Sequence, residues 1–334
     1  MDIVVTGGSG FVGRVLIPKL LASFKNSKII NLDKNSYKLP NKNFSTIQTN
    51  ITDLNDISRI QLESSSDYFL IHLAANIFNE DVPSRSNRKK FFFDTNVFGT
   101  ENILSIFKGS NLKKACFIST DMVYGTPQSV PIKIDHPLRP NGEYGESKVK
   151  AEELIINLSR KQGFDYVIFR PRLIMGPGRL GLLKKLFFLI KNNLPVPMIG
   201  HGENRYQFIS VFDCADALVH SLKSNQTNEI FNLGSDNPPT VRNLLSNLIK
   251  HADSKSFLIP TFHPAAKVLL GILDSFNLSL MYPEQYLIAD KDCILDTTSL
   301  KNDLGFVPKD SDQEMLFTGF DSYLALQAER AINC

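Results

Sequence analysis

The chain has 334 residues and a formal net charge of +3, a balance that neither demands nucleic acid nor excludes an anionic small molecule. Its 43% hydrophobic and 21% charged residues fit an ordinary soluble globular protein, long enough for a sizeable core and two lobes. No uncharged apolar run reaches membrane-spanning length, and strand-forming residues begin at position 3, leaving no room for a signal peptide. Cys116, Cys214, Cys293 and Cys334 show neither paired nor metal-ligand spacing, and the histidines are scattered. A reduced cytoplasmic protein is therefore expected, with no metal and with neither nucleic acid nor membrane as a partner.

In chain order, Ile3, Val4 and Val5 form a β-branched run that meets Thr6-Gly7-Gly8-Ser9-Gly10-Phe11-Val12-Gly13. Val15, Leu16, Pro18 and Leu20 then carry a helical pattern. This is strand, tight turn, helix: Gly7 permits the turn, Gly10 lets backbone approach a pyrophosphate, and Gly13 lets the helix pack closely on the strand. Amide N–H groups at such a helix start hold phosphate. The next strand, Lys28 to Leu32, ends in Asp33, whose carboxylate would accept from an adenosine ribose. That favours NAD over NADP, because a 2′-phosphate would face Asp33, although Lys34 and Lys38 lie nearby.

Strand-like runs recur at Ser45 to Ile47, Tyr68 to Leu73, Lys114 to Ser119, Tyr166 to Arg170 and Ile230 to Leu233. Helical patterns separate most of them, among them Phe93 to Phe107 and Tyr144 to Lys161, and this alternation predicts a Rossmann-type α/β fold with a doubly wound parallel sheet. The basic cluster Arg85 to Lys90 is short and interrupted by serine and asparagine, and reads as a solvated surface. After Pro171 the texture changes. Leu182 to Ile199, with three lysines, reads as an amphipathic helix and following turn, and Pro264 to Met281 carries the apolar stripe Val268, Leu269, Leu270, Ile272, Leu273, Phe276 and Leu278. That stripe reads as packing on the lobe; the alternative is an apolar lid. The predicted division is a dinucleotide domain, residues 1–170 plus about 206–237, and a smaller discontinuous substrate lobe, about 171–205 plus 238–334.

Within Tyr144-Gly145-Glu146-Ser147-Lys148, the tyrosine and lysine lie four apart on one helix face, so the ammonium can sit near the phenol. Bringing a phenol from about 10 to about 7 requires roughly 4 kcal/mol of phenolate stabilisation, more than one lysine supplies. A positively charged nicotinamide would add to it.

With these pieces assembled, the chain resembles the extended short-chain dehydrogenase/reductase family, in its nucleotide-sugar epimerase and dehydratase branch. Further matching pieces are His72-Leu73-Ala74-Ala75, Asn96-Val97-Phe98-Gly99-Thr100, Val123-Tyr124-Gly125, Arg170-Pro171, Gly176-Pro177-Gly178, Arg205 before Phe208-Ile209, and Val211 to Asp213. The resemblance implies that Thr120 hydrogen-bonds the reacting oxygen, Tyr144 is general acid or base, and Lys148 binds ribose and activates the phenol. It lays the cofactor along Gly7, Gly10, Phe11, Val12, Gly13, Asp33, Leu73, Ala74, Ala75, Asn96 and Pro171. Asn50-Ile51 aligns with an adenine-binding aspartate and aliphatic pair, with asparagine in the aspartate's place. Tyr124, Arg172 and Arg205 are carried over towards substrate, Arg205 onto its diphosphate. His72 reads as strand-end structure, Asn96 equally as helix packing, and Arg172 as either a substrate contact or a structural ion pair.

The implied function is NAD-dependent epimerisation of a nucleotide sugar, or related sugar oxidoreduction, by transient hydride transfer, with a homodimer built through the two central helices. A 4,6-dehydratase needs a further acid and base, often Asp-Glu after the threonine; here Thr120 is followed by Asp121, a candidate catalytic acid that keeps dehydration open, and by Met122, which accepts no proton and makes it the lesser reading. A hydroxysteroid-like or other apolar alcohol dehydrogenase, and a non-enzymatic cofactor-binding regulator, are the remaining alternatives.

Overall fold

The computed structural model describes residues 1–78, 82–179, 181, 183–277 and 281–332. Leu182, Leu278 and Cys334, which figured in the sequence reading, lie outside the described residues. In chain order the strands are β1 (Asp2–Thr6), β2 (Ile29–Asp33), β3 (Phe44–Gln48), β4 (Asp67–His72), β5 (Asn111–Ile118), β6 (Asp165–Pro171), β7 (Leu173–Met175), β8 (Val196–Ile199), β9 (Phe208–Ser210), β10 (Glu229–Leu233) and β11 (Leu258–Thr261). Seven of them form one sheet in the order β10-β6-β5-β4-β1-β2-β3, every neighbouring pair parallel.

Helices cover both faces of this sheet, which is why β1 reads as an unbroken apolar run rather than an alternation. Ile3 and Val5 face Leu16, Ile17 and Leu20 of the helix Phe11–Ser23, whereas Val4 faces Leu70, Ile103 and Leu104 on the other side. All three are fully buried, each worth about 1.5–3 kcal/mol of transfer free energy. The strand order reverses between β1 and β4, and the turns leaving these two strands therefore part to open a crevice at their carboxyl ends. Thr6 pairs in register with His72, so both turns start at one level. His72 bridges Thr6 Oγ1 (2.6 Å) and Thr100 Oγ1 (2.8 Å). Burial, reinforced by the charge of Lys148, pushes its pKa down to about 3, and it stands as a neutral strut at the strand end.

The smaller lobe packs around Phe187, Ile190, Leu244, Leu248, Phe320 and Tyr323, with β7 paired to β9 and β8 to β11. Here the sequence reading needs two corrections. Val196–Ile199 is a strand: Asn193, at φ 55°, closes the helix Leu183–Lys191, and Val196 then pairs with Leu258 at a short sheet edge where Pro197 is tolerated. The apolar stripe packs only in part, because the helix His263–Ser275 buries Leu270 but turns Val268, Leu269, Ile272 and Phe276 outward. The helical pattern Phe93 to Phe107 is also interrupted: α-helical Arg88–Phe93 and Gly99–Ser105 are joined by a wider π-helical turn, Asp94–Phe98. Among the described residues no helix is long and apolar enough to cross a membrane, and no group of three or more His, Cys, Asp or Glu is placed to hold a metal.

Candidate active site

The crevice between the β1 and β4 turns opens into a cleft of about 650 Å³ that runs across the carboxyl ends of the strands. At one end is the glycine turn. Gly7 adopts φ +70°, and a Cβ there would sit 2.7 Å from the Ala74 amide nitrogen, so the two turns touch backbone to backbone. Gly8 N–H donates to Asn31 Oδ1 (3.0 Å), Ser9 N–H to Asp33 Oδ2 (2.9 Å) and Asn35 N–H to Asp33 Oδ1 (2.8 Å). These bonds fix the turn and aim the Asp33 carboxylate along the cleft wall. The helix Phe11–Ser23 starts at Gly10 with no side-chain cap, leaving its first amides for an anion.

Gly10, Phe11, Val12, Asp33, Asn50, Ile51, Leu73, Ala74, Ala75 and Pro171 line the cleft with Gly7, as does Lys34. Gly13 does not; a Cβ on it would collide with Gly8 backbone, so its part is close packing of helix on turn. The Asn50 amide oxygen already accepts from the Thr52 amide (3.1 Å) and hydroxyl (2.9 Å), so the carbonyl offered to an adenine amine is engaged locally.

Ser119, Thr120, Asp121, Tyr144 and Lys148 line the other end of the cleft. Thr120 lies two residues beyond β5 and caps the short turn Asp121–Val123, its Oγ1 accepting from Met122 N–H (3.2 Å). Tyr144 stands in the first turn of the helix Glu143–Gln162, on the same cleft wall as Thr120. Burial among Phe78 (5.3 Å) and Phe92 (5.5 Å) drives the phenol well above its ordinary pKa, and the largest opposing charge is Arg179. Lys148, one turn on, donates to Ile118 O (2.7 Å) and lies 4.0 Å from the Phe117 ring centroid; burial pulls it down to about 7 against the charge of Glu152. Beside Lys148, which the sequence pairs with this phenol, the fold sets Arg179 on the same cleft wall.

The start of the helix that carries Tyr144 is capped from far away. Gly142 offers no side chain, and Glu284, 140 residues distant, accepts from Tyr144 N–H (Oε1, 3.0 Å) and Gly145 N–H (Oε2, 3.3 Å). A Cβ on Gly142 would lie 2.5 Å from Glu284 Oε1, so glycine makes room for the carboxyl. Burial, partly offset by the two amides, raises Glu284 to about 8. Its neighbours belong to the same roof: Tyr282 stacks on Phe78 at 4.4 Å and Gln285 lines the cleft.

Other residues named from sequence are placed differently. Asn96, 1% exposed and off the cleft wall, bonds both backbone groups of Asn76 (2.8 and 3.0 Å) and Ser147 Oγ (2.9 Å), tying a cleft loop to the catalytic helix. Arg172 and Asp121 both line the cleft and form a buried ion pair, with the guanidinium 4.1 Å from the Tyr206 ring centroid. Burial raises the Asp121 pKa and Arg172 opposes the rise. Tyr124 lies off the wall, fully buried, donating to Asn232 Oδ1 (2.7 Å) and accepting from Arg170 (3.0 Å), which forks onto Glu152 at 3.1 and 2.7 Å. Arg205 is also outside the cleft lining, half-exposed and paired with Asp292 at 3.2 Å.

Arg179, Tyr206, Glu284 and Gln285 were not legible as site residues. Arg179 directly follows Gly176-Pro177-Gly178, a usable signal, whereas nothing local marks the others. The described cysteines Cys116, Cys214 and Cys293 are buried and free, their thiols raised by burial to about 11, 12 and 11.

A parallel doubly wound sheet, an uncapped glycine turn beside an acidic strand end, and a threonine and tyrosine in the same cleft define a dinucleotide-dependent α/β enzyme. The profile of the NAD dependent epimerase/dehydratase family matches residues 3–234, and the chain belongs to that family. It is 31% identical over 75% of its length to a putative UDP-glucose 4-epimerase of Methanocaldococcus jannaschii, 81% of which is covered. It is 29% identical over 76% of its length to the dTDP-D-glucose 4,6-dehydratase of Homo sapiens, 75% of which is covered. The solved dTDP-glucose 4,6-dehydratase DesIV of Streptomyces venezuelae shares the fold, with a TM-score of 0.75 at 20% identity over 98% of both chains.

Proposed function

We propose that the protein is an NAD-dependent nucleotide-sugar epimerase, or a related sugar oxidoreductase, working by transient hydride transfer at a sugar carbinol. The observation that carries this reading is the convergence of Thr120, Tyr144 and Lys148 on the same cleft as the Gly7 turn and Asp33. Retention of Thr120, Tyr144 and Lys148 together on one cleft wall argues against a regulator without catalysis. Gly7, Gly10, Asp33 and Ala74 would hold the dinucleotide, and bound NAD would supply the hydride acceptor and donor. Asp33, already fixed by two amides, suits a ribose better than a 2′-phosphate.

Thr120 orients the carbinol oxygen while Tyr144 takes and returns its proton. The buried phenol holds its proton tightly, and Arg179 supplies positive charge where phenolate forms. Lys148, anchored on Ile118 O, keeps its ammonium beside the helix face facing the cleft. A 4,6-dehydratase is supported by the human relative. Against it stand Met122 in the position of a base and Asp121 locked onto Arg172, which leaves no free acid for a departing hydroxyl. For the apolar-alcohol reading, none of the helix His263–Ser275 contributes to the cleft lining. The division into residues 1–170 plus about 206–237 and about 171–205 plus 238–334, a cytoplasmic location and a homodimer through the two central helices complete the proposal. Light scattering showing a monomer would remove the dimer.

The test offers NAD-loaded protein a panel of UDP-, GDP-, CDP- and dTDP-sugars, with products resolved by mass and NMR. An isomeric product supports the epimerase; loss of one water identifies a dehydratase; silence with sugars and turnover of a hydrophobic alcohol would replace both.

A further inference from the structure

The helix His263–Ser275 is apolar on both sides. Leu270 turns inward, and Asp274 forms a buried fork with Arg88 (2.7 and 3.0 Å), whose guanidinium lies 5.0 Å from the Tyr282 ring centroid. On the outer side Val268, Leu269, Ile272 and Phe276 follow helical spacing and are 63, 57, 50 and 72% exposed, and Phe262 just before the helix is 73% exposed. Single exposed apolar residues are ordinary; five large ones on one helix and its entry turn mark a docking surface.

Among the described residues, the acids that touch this helix are neutralised. Asp274, the helix's only acid, is consumed in its buried pair, and nearby Asp290 is held by His263 and Lys267. At the carboxyl end of the helix, Arg85 N–H donates to Asn277 Oδ1 (3.2 Å) and Arg88 reaches Asp274, which sets the segment carrying the exposed Arg85, Lys89 and Lys90 at this end. Lys90 also pairs with Asp94, leaving Arg85 and Lys89 as surplus cations.

We propose that this face docks on the surface of a bilayer containing anionic phospholipid. Phe262, Leu269, Ile272 and Phe276 enter the boundary between headgroups and acyl chains, while Arg85 and Lys89 meet the headgroup phosphates. The contact lies close to the active site: Asp274, Arg88, Tyr282, Phe78 and Tyr144 form an unbroken series of neighbours from the helix to the catalytic phenol.

The test is flotation of the full chain with vesicles of phosphatidylcholine alone and of phosphatidylcholine mixed with phosphatidylglycerol. Binding is expected to the mixed vesicles, weakened by salt, and lost in the double variant Leu269→Glu, Ile272→Glu. Arg85→Gln and Lys89→Gln are each expected to weaken it about fivefold. Unchanged circular dichroism and melting temperature keep these variants interpretable. Absence of binding to the mixed vesicles, binding unaltered by the double variant, or a dimer in light scattering that the double variant dissolves would each overturn the proposal.

Discussion

Two helices in this protein begin at a glycine that cannot cap them, and they resolve the problem in opposite ways. The helix Phe11–Ser23 leaves its first amides open to the cleft behind Gly10. The helix Glu143–Gln162 has the same need behind Gly142, but the other lobe fills it with the carboxyl of Glu284. Both starts attract negative charge, since orphan amides and the helix dipole act alike at each. The difference is what supplies the acceptor. An open start receives a ligand; a start closed by the chain's own carboxyl fixes the position of Tyr144, which stands in that first turn.

The largest expected effect tests what the closed start positions. Replacing Tyr144 with Phe leaves the capping amide in place and removes only the hydroxyl, so turnover should fall by about 10²–10⁴-fold with NAD binding retained, as read by kinetics beside calorimetry. Next comes Gly10→Asp, which gives the open helix its own anion. Its backbone (φ −82°) admits a side chain, with Cβ 3.1 Å from Gly7 O, so the helix cap offsets a tight contact and the melting temperature should change little while NAD affinity drops about a hundredfold or more through like-charge repulsion. A variant that binds NAD as the wild type does would place the pyrophosphate elsewhere.

Glu284→Ala should then cost about 1–3 kcal/mol, because two buried amides lose their acceptor. Chemical denaturation measures it, and a loss under about 0.5 kcal/mol would show the cap to be dispensable. The pH dependence sharpens this. Glu284 titrates near 8 in the fold against an ordinary 4.5, so its stabilising contribution is complete below about 4.5 and disappears as pH rises through about 8. In Glu284→Gln that decline should flatten, and an identical pH profile would contradict the raised value. The smallest effect belongs to Arg205→Ala: a half-exposed ion pair with Asp292 is worth at most about 1 kcal/mol, and with no place in the cleft lining its loss should leave the substrate KM within about twofold. A large rise in KM would return Arg205 to the substrate diphosphate.

The legibility of these two starts in the sequence differs as sharply as their chemistry. The open one was readable because its parts are local: a β-branched strand, the Gly7 to Gly13 turn, and Asp33 at the end of the next strand. The same locality made the parallel sheet readable from alternating runs. The closed start was readable only on its own helix, where Tyr144 and Lys148 share a face. Glu284 lies in an unremarkable Tyr-Pro-Glu-Gln segment, and its role arises only when the second lobe folds back over the first. Arg172 illustrates the same limit. Its sequence position left substrate contact and structural pair open, and the fold gives it Asp121 as partner while keeping it on the cleft wall. The outward face of the helix His263–Ser275 was misread because an apolar stripe on a helix is ordinarily the buried one.

The most direct measurement follows the reduced-nicotinamide absorbance band during a single turnover, as NAD-loaded wild type and Tyr144→Phe are mixed with the nucleotide-sugar panel. A transient rise in the wild type, absent from a variant that still binds NAD, is the expected result. The same transient in the variant, or none in the wild type with any sugar, would contradict the hydride-transfer site assigned to this cleft.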